Sequence, residues 1–104
     1  MQEFKVILET LENASHIKKI ILFNKDGEIE GTIENIPGSL GSIKLYNHLF
    51  LKFGGLSIDA ALEGVELYSE YIEEAKNYPG KHPNIDRLFN IINKEEALKI
   101  TVIK

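Results

Sequence analysis

Pro79-Gly80-Lys81-His82-Pro83-Asn84-Ile85-Asp86-Arg87-Leu88 gathers two prolines, a glycine and a run of polar and ionisable side chains at the start of an expected helix. Starting a helix needs less: a proline in the first turn and His82 or Asn84 at the cap suffice, with Asp86 offsetting the positive helix end. Lys81, His82, Asp86 and Arg87 are therefore candidates for chemistry. His82 and Asp86 are spaced four apart, which brings them to one side if both lie in the helix. Asp86 would then orient the imidazole for proton transfer while Lys81 and Arg87 hold an anionic substrate. If Pro83 leaves His82 outside the helix, that spacing rule lapses.

A second loop, Pro37-Gly38-Ser39-Leu40-Gly41-Ser42, is expected to open another helix. One reading is a plain connection in which Gly38 and Gly41 relieve the backbone and Ser42 caps the helix. The other is an anion nest, with Ser39, Gly41 and Ser42 as donors beside a positive helix end. Neither the Gly-Lys-Ser/Thr ending of a phosphate loop nor the dinucleotide glycine spacing is present. Tyr46 and Asn47, one turn on, are candidates for positioning a ligand, and Asn84 for an orienting amide. A metal centre would have to recruit His48, His82 and Asp86 from distant elements without cysteine or a His-Glu-x-x-His pattern, so none is expected. No cofactor is expected.

These loops need a scaffold. Phe4, Ile7, Leu8 and Leu11 fall at helical spacing over residues 3–12. Residues 17–23 read as a strand, Asn24-Lys25-Asp26-Gly27 as a turn, and the alternating residues 28–34 as a second strand of a hairpin. Helices are expected over 43–53, ended by Gly54-Gly55, over 57–78 with Ser57 as cap, and over 83–93. Gly64, in the middle of the long helix, implies a closely packed neighbour there. Tyr68, Tyr71 and Tyr78 read as packing on that helix, and its glutamates as a solvated face. Residues 98–103 close the chain as a strand. The order α-β-β-α-α-α-β defines an α+β domain spanning residues 1–104, a small antiparallel sheet packed against about four helices.

The sequence has 104 residues, 43% of them hydrophobic, which suits one core. With no cysteine there is no disulfide framework and no thiol nucleophile. The net charge of −4 disfavours nucleic acid as a partner. No stretch is apolar enough to span a membrane, and the start interleaves charged with apolar residues, unlike a signal peptide, so a cytoplasmic protein is expected.

The hairpin, Ile33-Glu34-Asn35-Ile36-Pro37-Gly38-Ser39-Leu40-Gly41-Ser42, Tyr46-Asn47, Gly54-Gly55 and the Pro79–Leu88 block together resemble a family of small bacterial proteins catalogued as a domain of unknown function. The resemblance covers nearly the whole chain. It implies a bacterial cytosolic setting and carries over no catalytic residue, substrate or cofactor.

The reading that follows is a binding or regulatory domain whose two loops form a polar pocket for a small anion or an acidic group on a partner. Its contacts would be Ser39, Gly41, Ser42, Lys81, Asn84 and Arg87. The rival is a small enzyme using His82 for proton transfer with Asp86, and Tyr46 or Asn47 positioning the substrate. A third reading is an oligomerisation module in which Lys81 and Arg87 meet the acidic face of another copy. The free sheet edges also suit a homodimer.

Overall fold

A computed structural model describes residues 2–104; Met1 lies outside them. Three strands, β1 (Lys19–Phe23), β2 (Ile29–Glu34) and β3 (Lys99–Ile103), form an antiparallel sheet in the order β2-β1-β3. The central place of β1 follows from its composition. It is rich in β-branched and aromatic residues, and it buries Ile20 and Leu22 completely. Asn24 fixes the hairpin by accepting at Oδ1 from the N–H groups of Asp26 (2.9 Å) and Glu28 (3.0 Å), while Gly27 supplies φ 82°.

Among the described residues, five helices accompany the sheet: α1 (Phe4–Glu9), α2 (Leu40–Phe53), α3 (Ile58–Tyr68), α4 (Tyr71–Asn77) and α5 (Pro83–Lys94). The fold class agrees with the sequence reading, but the order is α-β-β-α-α-α-α-β. The long helix expected over 57–78 is two helices, broken at Ser69, whose φ is 53°. At the break the Ser69 hydroxyl donates to the Gln2 carbonyl, and the Glu70 carboxylate accepts the Phe4 N–H at 2.7 Å. Both partners lie more than sixty residues upstream, so helical periodicity alone could not reveal the interruption. α1 is also shorter than the expected 3–12, and the Thr10 hydroxyl donates to the Ile7 carbonyl at 2.7 Å where it ends.

Ser57 caps α3, accepting the Ala60 N–H at 3.1 Å, and Gly54 ends α2 in the left-handed region at φ 79°. Gly64 has the close neighbours its position implied. A Cβ there would come within 2.8 Å of Leu88 Cδ1 and 3.0 Å of Leu49 Cδ1, so the glycine lets α3 settle onto α5 and α2. Leu45, Leu49, Leu56, Ile85 and Leu88 join the inner face of the sheet in one buried cluster. This packing fixes the starts of α2 and α5 relative to each other.

Candidate functional site

The two loops meet. Gly38, Ser39, Gly41 and Ser42 line one side of a cleft of about 300 Å³, and Lys81, His82, Pro83, Asn84 and Ile85 line the other. Phe4, Tyr68 and Tyr71 complete it as an aromatic wall. Phe4 stacks on Tyr68 with ring centres 5.2 Å apart, and Tyr71 meets Phe4 edge-on at 5.5 Å.

Each side of the cleft carries a helix N-terminus. In α2 the first intrahelical acceptor is the Ser39 carbonyl, taken by the Ile43 N–H at 3.0 Å. The amides of Leu40, Gly41 and Ser42 precede any such partner, and the Ser39 side chain does not cap them. In α5, His82 is the cap residue, Pro83 has no N–H to satisfy, and Ile85 and Asp86 both bond the His82 carbonyl. That leaves the Asn84 amide as the free donor of this turn. The two helix ends bring partial positive charge and unpaired N–H groups to one opening.

The ionic arrangement differs from the one the spacing suggested. His82, with φ −123° and ψ 77°, sits outside the helix, so the four-residue rule does not apply and Asp86 does not orient it. Asp86 instead accepts the Gly80 N–H at 2.8 Å. The partner of His82 is Glu74, whose Oε1 lies 2.9 Å from His82 Nε2 and 2.9 Å from Lys81 Nζ. The imidazole also packs edge-on against Tyr71 at 5.7 Å. The Lys81 hydrogen bond, followed by that of His82, holds the Glu74 carboxyl below the usual carboxylate range.

Several candidates take other positions. Ser42 is inside α2 rather than its cap, and its hydroxyl lies 2.7 Å from the Tyr68 hydroxyl, joining the floor of the cleft. Tyr46 is wholly buried; its hydroxyl donates to the Asn84 carbonyl at 2.6 Å and accepts from Arg87 Nη1 at 3.1 Å. Asn47 is likewise buried, and neither residue lines the cleft. Arg87 turns away to tie α5 to β2, donating to Glu30 Oε1 at 3.0 Å and Asn84 Oδ1 at 2.8 Å. It fits there because Gly31 has no side chain: a Cβ would come within 2.5 Å of the guanidinium. Arg87 is thus committed within its own chain, which removes it from the expected pairing with another copy. His48 pairs with Glu63 at 2.7 Å in a separate cluster with Lys52. Among the described residues no three His, Cys, Asp or Glu side chains come together as a metal site.

Sequence reasoning did not assign Phe4, Tyr68, Tyr71 or Glu74 to the site. Tyr68 and Tyr71 carried an aromatic signal that an unbroken helix would explain as packing. Glu74 lies eight residues before His82 across the Pro79-Gly80 corner, where no fixed spacing applies.

The buried Tyr46 hydroxyl has a testable titration. Burial raises its pKa to about 12, with Arg87 opposing part of that rise. A folded-state value above the unfolded one of about 10 means that the neutral form is the one the fold favours. This contribution is intact below pH 10 and is lost as pH rises through about 12. Denaturant unfolding of wild type and Tyr46→Phe at several alkaline pH values should show a steeper loss of stability in wild type; equal slopes would refute the assignment.

The fold is of the α+β class, with a polar opening where two helix starts meet. Residues 4–102 match the model of a family described as an uncharacterized protein conserved in bacteria (DUF2322), and the chain belongs to that family. No curated protein and no solved structure matches. No helix among the described residues is long and apolar enough to cross a membrane.

Proposed function

We propose that the chain is a bacterial cytoplasmic binding domain that recognises a small anion, or an acidic group on a partner, in the cleft between the starts of α2 and α5. The observation that supports this most is the meeting of two helix ends with unpaired amides beside Lys81 in one opening. Ser39, Gly41 and Ser42 act as donors, Asn84 contributes its amide, and Lys81 is the countercharge. Titration of isotopically labelled protein with inorganic phosphate at neutral pH tests it. Amide resonances of Gly41, Ser42 and Asn84 should shift saturably and together; shifts scattered over surface lysines would count against the site.

A second reading is favoured by the Glu74–His82 pair, since a carboxylate 2.9 Å from an imidazole orients it for proton transfer. His82→Asn separates the two. A recognition site keeps phosphate affinity within about threefold, because the helix amides and Lys81 remain. A tenfold loss would make the imidazole a contact of the anion site, whereas the catalytic reading requires that the substitution abolish turnover.

A further inference from the structure

Glu74 already occupies the cation that an incoming anion would use: one carboxylate oxygen lies 2.9 Å from Lys81 Nζ and 2.9 Å from the His82 imidazole. It is tethered, so a free anion competes with a carboxylate at an effective concentration of millimolar or higher. A singly charged anion that replaces Glu74 exchanges like for like and gains little. A doubly charged one brings a surplus charge, which the unpaired amides of α2 and α5 are placed to meet. The cleft, at about 300 Å³, also exceeds what a bare oxyanion fills and falls in the range of small-molecule sites. Its remaining wall is aromatic: Tyr71 is 40% exposed and stands beside Phe4.

We infer, building on the anion-site reading above, that the ligand is a phosphate monoester of a planar group, with Glu74 acting as a built-in competitor that rejects monoanions. The phosphate takes the helix amides and Lys81 as Glu74 swings away, and the planar body lies against Tyr71 and Phe4. A phosphate monoester is mostly dianionic above its second pKa of about 6, whereas a single carboxyl group never carries more than one charge.

Three probes at pH 7.5, followed through the Gly41, Ser42 and Asn84 amides, test this: phenyl phosphate, inorganic phosphate and benzoate. Wild type should bind phenyl phosphate at least tenfold more tightly than inorganic phosphate and a hundredfold more tightly than benzoate. Glu74→Gln should raise benzoate affinity at least tenfold. Tyr71→Ala should bring phenyl phosphate down to the affinity of inorganic phosphate. The inference is overturned if benzoate matches phenyl phosphate in wild type, if Glu74→Gln leaves benzoate unchanged, or if the ring adds no affinity. Should phosphate bind without these preferences, the anion site stands and only the ligand class falls. Should no probe shift these amides in either wild type or Glu74→Gln, the anion site itself is refuted.

Discussion

Arg87→Met should destabilise the fold by about 3 kcal/mol, through loss of the hydrogen bonds made by a largely buried guanidinium. The arginine side chain is only 10% exposed, and its guanidinium joins Glu30, the Tyr46 hydroxyl and Asn84 Oδ1. It also lies over the Tyr46 ring, 5.7 Å from its centre. Methionine keeps much of the apolar stem but leaves the buried Tyr46 oxygen and the Asn84 amide without that donor. The loss is not larger because Glu30, with a side chain 42% exposed, recovers water when released. For a chain of this size the loss corresponds to a melting-temperature decrease of roughly 10–20 °C. Arg87→Lys should recover little of it, since an ammonium cannot span three acceptors in the plane the guanidinium uses. Thermal melts of the two variants check both statements; a change under about 1 kcal/mol in Arg87→Met would show that the tie between β2 and α5 is dispensable.

Lys81→Glu should lower phosphate affinity by more than tenfold with little change in stability. The substitution removes the countercharge and places a second carboxylate beside Glu74, now 2.9 Å from the lysine it replaces. A negative group then lines the cleft that the anion must enter. Lys81 has a side chain 59% exposed, so the fold should tolerate the change to within about 0.5 kcal/mol. Amide-shift titration with phosphate, paired with a thermal melt, measures both. Undiminished affinity in a folded variant would mean that Lys81 does not face the anion.

The parts of the fold readable from sequence were those fixed by local pattern. The hairpin follows from alternation around Asn24–Gly27, the end of α2 from Gly54, and the cap of α3 from Ser57. Gly64 gave even a tertiary contact, because a glycine within a strong helical stripe implies a close neighbour. The break at Ser69 was not readable, since its stabilising partners are backbone groups of Gln2 and Phe4.

The site divides along the same line. Both loops were identifiable from their glycine, proline and polar content, because such clusters exceed what turns and caps require. Which side chains face the cleft depended on rotations that composition does not encode. Arg87 and Tyr46 carry the right chemistry but turn inward to each other. His82 pairs across a corner with Glu74 rather than along a helix with Asp86. Spacing rules hold only within a continuous element, and Pro83 sets His82 just outside one.

The central claim is that the starts of α2 and α5 form one anion site, and a crystal structure grown in phosphate tests it most directly. The expected result is an ion within hydrogen-bond distance of the Gly41, Ser42 and Asn84 amides, with Lys81 turned toward it and Glu74 displaced. A cleft without that ion in well-diffracting crystals, with Glu74 still holding Lys81 and His82 at saturating phosphate, would contradict the claim.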